Sequence, residues 1–290
     1  MTIRSFDLLQ PRSLQEAVEF LHKHGEEARA LAGGTTLVIM MKQRALHYPY
    51  LVDLQSIQGL DGIKNEADGI RIGALATHRK VETWPEIRRA FPCLAQAFGY
   101  IGNVRVRQTA TVGGNLAHAD YRLDPPPPLL VLGAEVSTLG PQGSRTIALK
   151  DFFSGMYETA LGPSELIVDV KVPFTRSNSQ AVYLRYSTLS ANDWPCLGVA
   201  AYLAKNENGR CTDLRVALGG LAARPLLIDG LTFTKDQILD RDVIDRLLDL
   251  ADQQISPFSD LRGTEWYKRR MARLFVKQAL EQLSRSESVK

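Results

Sequence analysis

The sequence predicts an α+β protein of two domains, and three observations carry that expectation. The opening segment runs helix, strand, glycine turn, helix, which is an α/β order. A polar, proline-marked stretch, Pro173-Phe174-Thr175-Arg176-Ser177-Asn178-Ser179-Gln180, then divides the chain. Beyond it, apolar strand-like runs give way to two long helical patterns, the order of an α+β domain. A length of 290 residues accommodates two domains.

Ser13-Leu14-Gln15-Glu16 reads as a capping box, with Leu14, Ala17, Val18 and Leu21 as the apolar face of a short helix closed by His24-Gly25. Ala28 to Ala32 reads as a buried strand running into Gly33-Gly34-Thr35-Thr36. The apolar run Leu37 to Met41 reads as a buried helix. Tyr50 to Leu54 and the alternating Gly69 to Ala74 read as strands. Helix is expected from Thr77 to about Ile101, interrupted near Pro85 and Pro92. The proline run Pro125 to Pro128 is expected to be extended. Ala181 to Tyr186, Leu197 to Leu203 and Leu214 to Leu218 are strand-like. The final helices are marked by Val243, Ile244, Leu247, Leu248 and Ala251, and by Trp266, Met271, Leu274, Phe275 and Leu280.

A formal net charge of +3 is too small for a nucleic-acid face. No apolar run reaches the roughly 20 residues of a membrane span, and Met1 to Ser5 leads into no signal-peptide core, so a cytoplasmic protein is expected. The sequence has 3 cysteines, Cys93, Cys196 and Cys211, spaced too far apart for a disulfide framework, a zinc site or a self-contained iron–sulfur cluster. Each reads as a small hydrophobe. Any redox chemistry here therefore falls to an organic group.

Two glycine loops stand out, Ala32-Gly33-Gly34-Thr35-Thr36 and Thr111-Val112-Gly113-Gly114-Asn115. A glycine turn before a helix points N–H groups and a positive dipole at an open site, and the missing Cβ lets a phosphate approach. Two such loops suit a ligand with two phosphates. Neither is a Rossmann or P-loop motif, and each Gly-Gly taken singly also reads as a plain turn.

The pair Ala-Gly-Gly-Thr-Thr-Leu and Thr-Val-Gly-Gly-Asn-Leu-Ala-His-Ala-Asp, at this separation, resembles the FAD-binding (medium) subunits of the molybdenum hydroxylases. These are of the carbon monoxide dehydrogenase and xanthine dehydrogenase type. The resemblance covers nearly the whole chain. Phe6, Pro11, Asp124-Pro125-Pro126, Leu132 to Glu135, Asp151 to Gly155, Glu165 to Ile167 and Val172-Pro173 follow the same pattern. So do Asn192-Asp193-Trp194 and Ala217 to Leu221. It implies a two-part FAD-binding domain of the vanillyl-alcohol-oxidase/PCMH type over residues 1–176, with sub-parts of about 1–55 and 56–176. A smaller α+β flavoprotein C-terminal domain would follow over residues 177–290.

The resemblance also implies the cofactor contacts. Leu31, Ala32, Gly33, Gly34, Thr35, Thr36, Leu37 and Val38 would form the first FAD loop, and Thr111, Val112, Gly113, Gly114 and Asn115 the second. Asp124 would bind polyol or ribose hydroxyls, with Ile101, Ile167 and Arg185 as further contacts. Arg185 stands where the family usually has Lys, Thr36 where it often has Asp, and the prolines after Asp124 are more than usual. The implied role is electron transfer. A large subunit would hold a molybdenum cofactor, a small subunit 2Fe-2S clusters, and this chain FAD, in a dimer of heterotrimers. This chain would then carry no general base, nucleophile or metal site.

Plainer readings stand beside these. Ile101 and Ile167 read as core residues, and Asp124 as the start of a turn. Arg105 and Arg107 read as solvated charges, or else as facing the cofactor phosphates or a partner chain, and Lys268, Arg269, Arg270, Arg273 and Lys277 as a solvated helix face; His118 reads as a structural histidine, or else as one near the flavin. A free-standing FAD-dependent oxidoreductase and a cofactor-free scaffold are the competing functions.

Overall fold

The computed structural model describes residues 3–285. The chain opens with β1 (Asp7–Leu9), α1 (Leu14–His24), β2 (Ala28–Leu31), α2 (Leu37–Lys42) and β3 (Tyr50–Asp53). The Ser13 hydroxyl accepts the Glu16 N–H at 3.1 Å and so caps α1, while the Glu16 carboxylate takes the Arg12 N–H at 2.6 Å. Gly25, at φ 53°, ends the helix. The strands form a parallel sheet in the order β1-β3-β2, which the helical crossovers permit. Ala17, Val18 and Leu21 of α1 pack on Ala28, Val52 and Leu54. The expectation of a buried α2 is corrected: only Met41 is buried, and Ile39 is 54% exposed. The helix has 6 residues and lies along a cleft edge, so its apolar side chains line that cleft.

The middle of the chain follows as β4 (Ile63–Glu66), β5 (Gly69–Gly73), α3 (His78–Thr83), α4 (Pro85–Ala90), α5 (Pro92–Gly99), α6 (Val104–Thr109), α7 (Val112–His118) and α8 (Pro126–Val131). It continues through β6 (Glu135–Gly140), β7 (Gly143–Ala148), β8 (Phe153–Gly155), β9 (Glu158–Thr159) and β10 (Leu166–Pro173). An antiparallel sheet runs β4-β5-β10-β6-β7. Pro85 and Pro92 each begin a new helix, as the interruptions predicted. The expectation of an extended proline run is wrong: Pro126, Pro127 and Pro128 form the first turn of α8 and are buried. First-turn N–H groups have no intrahelical acceptor, so proline loses nothing there. The Pro125 carbonyl already accepts the Leu129 N–H at 3.1 Å.

The last part comprises β11 (Ser179–Tyr186), β12 (Leu197–Lys205), β13 (Cys211–Gly219), β14 (Leu226–Leu227), α9 (Arg241–Gln254) and α10 (Glu265–Arg285). The strands form an antiparallel sheet in sequence order. Along β12, Leu197, Val199, Ala201 and Leu203 pack under α9 and α10, whereas Ala200, Tyr202 and Ala204 join the core of the middle sheet. Both faces are covered, which explains the unbroken apolar run. Cys93, Cys196 and Cys211 are free and buried. One member of the basic set on α10 departs from the solvated reading. Lys268 is 1% exposed and donates to the Asp260 carboxylate at 2.9 Å and the Phe258 carbonyl at 3.0 Å.

Candidate cofactor site

A cleft of about 880 Å³ lies where the N-terminal sheet, the middle sheet and the loop before β12 meet. That is the size of a sizeable small-molecule site. Its walls are β2 with the first glycine loop and α2, the stretch from Ile101 to His118, the segment from Ser154 to Ile167, and Asn192-Asp193-Trp194.

The first loop leaves β2 as Gln55 Nε2 donates to the Ala32 carbonyl at 2.9 Å. Gly34 sits at φ 67°, a conformation that glycine adopts without strain. Val38 N–H returns to the Gly34 carbonyl at 3.0 Å, which starts α2. Among the described residues, the N–H groups of Gly33, Gly34, Thr35, Thr36 and Leu37 have no acceptor in the protein. They form a cradle of donors on the wall of the cleft, as the turn chemistry predicted.

The second loop is built differently. Thr111 caps α7, and the N–H groups of Val112, Gly113, Gly114 and Asn115 are taken by Ala76 O, Ala74 O, Thr111 Oγ1 and Thr111 O at 3.0, 2.7, 3.2 and 2.9 Å. This loop meets the cleft with side chains instead, and Asn115 Oδ1 is buried without a hydrogen-bond partner. The glycines also divide their duties. A Cβ on Gly33 would stand 2.1 Å from the Thr109 carbonyl oxygen, and one on Gly113 2.8 Å from the Ala74 Cβ. Those two glycines let chain segments touch each other. A Cβ on Gly34 would stand 3.2 Å from Leu31 Cδ1 and Val38 Cγ2, and one on Gly114 2.9 Å from Thr111 Oγ1, so the close approach to a ligand that the sequence assigned to all four is replaced by room for the chain's own atoms.

The structure brings Leu31 to Leu37, Ile101, Thr111, Gly113, Gly114, Asn115, Asp124 and Ile167 into one cleft wall. Val38, Val112 and Arg185 lie behind it. Val38 supports Gly34 from the rear, and Val112 is core. Arg185 is buried over the Tyr100 ring, 5.5 Å from its centroid. Its Nε donates to Asp124 Oδ1 at 2.9 Å, and its other nitrogens hold Ser187 Oγ and the carbonyls of Ala191 and Asp193. All three nitrogens of the planar fork donate, in four directions that an ammonium could not reproduce. Tyr183 also donates to Asp124 Oδ1, at 2.8 Å. Burial pushes the Asp124 carboxyl up to about 6 against the pull of Arg185 and Tyr183.

Ile101 and Gly102 form a turn whose carbonyls both accept from Arg107 Nη1 at 3.1 Å, while Arg107 Nε pairs with Glu82 at 2.9 Å. The solvated reading of Arg107 is thereby corrected. Ile167 borders the bulge between Ile167 and Asp169 in β10, a device that re-aims side chains next to sites.

Sequence reasoning missed several cleft residues. His118, read as structural with a place near the flavin as the lesser reading, lines the wall 5.3 Å from the Tyr157 ring, and burial lowers its pKa. Tyr157 (φ 60°) donates its N–H to the carbonyl of Ala119 (φ 51°) at 3.1 Å, and its hydroxyl donates to Asp120. Tyr157 on the wall and the buried Ala119 behind it, both non-glycine residues in left-handed conformations, are a strained pair with no sequence signal. Asn192-Asp193-Trp194 did carry a signal as a motif. Arg262 pairs with Asp193 Oδ1 at 2.8 Å, and Asp193 Oδ2 is buried without a partner.

Residues 4–175 match the family described as the FAD binding domain in molybdopterin dehydrogenase, and residues 182–283 match the CO dehydrogenase flavoprotein C-terminal domain. The chain belongs to the FAD-binding medium subunits of the molybdenum hydroxylases. It is 31% identical to the carbon monoxide dehydrogenase medium chain of Afipia carboxidovorans over 96% of both chains. It is 25% identical to the putative xanthine dehydrogenase FAD-binding subunit of Escherichia coli over 93% of both. A crystal structure of Cu,Mo-CO dehydrogenase contains a chain that superposes with a TM-score of 0.93 at 31% identity, covering 98% of this chain and 99% of that one. Like its relatives, the medium subunit is an oxidoreductase component with FAD as cofactor.

The cleft fits that group. Diphosphate oxygens only accept, and the first loop offers unpaired donors. Ribityl and ribose hydroxyls and ring N–H groups donate, and Asn115 Oδ1, Asp124 and Asp193 Oδ2 offer acceptors.

Proposed function

We propose that this medium subunit is the electron exit of a molybdenum hydroxylase complex. It takes electrons from 2Fe-2S clusters on a small partner subunit and passes them to an external acceptor, while substrate is oxidised at a molybdenum cofactor on a large subunit. The reading rests above all on one observation: unpaired donors of Gly33 to Leu37 share a cleft with unpaired acceptors. The donors would hold the diphosphate. Asn115, Asp124 and Asp193 would orient the hydroxyl-bearing and ring parts. Ile101 and Ile167 would cover them from water, and Val38, Val112 and Arg185 would act from behind the wall. When bound, FAD supplies the electron-transfer chemistry, and the protein supplies position and electrostatics.

The division into residues 1–176 and 177–290, a dimer of heterotrimers and a cytoplasmic location complete the proposal. Among the described residues no helix is long and apolar enough to cross a membrane. The test is an absorption spectrum of the purified chain after FAD addition, together with the identity of co-purifying subunits. Flavin bands and co-purification with a molybdenum subunit and a cysteine-rich subunit are expected. A colourless chain would overturn the FAD site, and turnover by the isolated chain would favour a free-standing oxidoreductase.

A further inference from the structure

His78 opens α3 beneath the second glycine loop and is 2% exposed. Its Nε2 lies 3.1 Å from the Thr111 carbonyl oxygen, the same oxygen that accepts the Asn115 N–H at 2.9 Å. A carbonyl only accepts, so Nε2 carries the ring proton and Nδ1 is a bare acceptor. Burial keeps the imidazole neutral, with its pKa lowered to about 4. Phe98 flanks the ring at 5.2 Å. Nδ1 is buried and has no hydrogen-bond partner among the described residues, and His78 belongs to the cleft wall. An unmet buried acceptor weakens a fold, so such an atom calls for a donor that the protein itself does not supply.

We propose that His78 is a cofactor-binding residue whose Nδ1 accepts a hydrogen bond from a hydroxyl or N–H group of bound FAD. This rests on the reading of the cleft as the FAD site. The diphosphate is excluded as the partner, because its oxygens carry no proton to donate at neutral pH. The second loop and His78 therefore act as one unit, tied together through the Thr111 carbonyl.

The test compares the full-length chain with His78→Gln in FAD titrations. The glutamine amide retains a donor for the Thr111 carbonyl but removes the acceptor at the Nδ1 position. The variant is expected to unfold close to wild type without FAD, and to bind FAD about tenfold more weakly. Equal affinity would overturn the assignment. Histidine-¹⁵N NMR of the wild-type chain keeps the question open to test if the variant misfolds: the Nδ1 resonance of His78 should move with FAD and stay still with inorganic diphosphate. An unmoved resonance in FAD-saturated protein would sink the proposal and leave the cleft reading intact. Failure of the wild-type chain to bind FAD at all would sink both.

Discussion

Asp124 stands in the cleft wall with Tyr183 and Arg185 both donating to its Oδ1, and its carboxyl is pushed up to about 6 by burial. A carboxyl raised above its ordinary 3.8 binds a proton more readily in the folded chain than in the unfolded one. Its contribution to stability therefore grows as pH falls from about 6 towards 3.8, and is lost as pH rises through about 6. Between neutral and mildly acidic pH, wild type is expected to gain Tm relative to Asp124→Asn; parallel Tm curves would show an ordinary carboxyl. Asn115 offers a second handle. Its Oδ1 is buried without a hydrogen-bond partner in the protein, so Asn115→Leu removes an unmet acceptor. The variant should match or exceed wild-type stability without FAD and bind FAD roughly tenfold less tightly. A stability loss with unchanged FAD affinity would assign Asn115 a purely structural role.

At the level of elements, the two glycine loops form one device because they touch. Gly33 lies against the Thr109 carbonyl, at the entry to the second loop, so the loops keep their spacing only while Gly33 lacks a side chain. Gly33→Ala would place a Cβ 2.1 Å from that oxygen and force the loops apart. The expected result is a loss of about 1–3 kcal/mol in a denaturant melt together with loss of bound flavin. Gly62→Ala serves as the control, since its Cβ would rest 3.7 Å from the Gly59 oxygen. Similar behaviour of the two variants would dissolve the argument. The proline-led α8 belongs to this scale too. The helix packs against β11 to β14 and α5, and its buried first turn follows directly on Asp124, which helps to hold that carboxylate in the wall.

Across the whole molecule, the sheet of β11 to β14 works for two cores. Tyr183, Ala200, Tyr202, Ala204 and Ala217 complete the core of the middle sheet, while the opposite face of β12 packs under α9 and α10. The C-terminal part also reaches the cleft through Asn192-Asp193-Trp194, held by Arg185 and Arg262. Residues 1–176 expressed alone would expose an apolar face that these side chains cover. That fragment is expected to aggregate or stay protease-sensitive, and to recover when co-expressed with residues 177–290. A soluble, flavin-binding 1–176 monomer in size-exclusion chromatography would show that the shared core is dispensable.

The sequence by itself determined the opening order of helix, strand, glycine turn and helix, the family and the two loops, because each rests on near neighbours. Ser13 caps a helix through the Glu16 N–H three residues on, and Gly33-Gly34 before an apolar run is local turn chemistry. Even the first loop's unpaired donors followed from that pattern. The proline run misled because a proline's effect depends on whether it lands in a helix interior or in its first turn, and the run alone did not say which. The remainder was decided by contacts between distant residues: Gly33 with Thr109, Arg185 with Asp124 and Asp193, His78 with Thr111, and Lys268 with Asp260. Whether a glycine makes room for a ligand or for another chain segment, and whether a charge is solvated or buried, depends on what lies across the fold. Only the tertiary structure brings those partners together, and burial then makes each pairing count, since an unpaired polar group is costly only away from water.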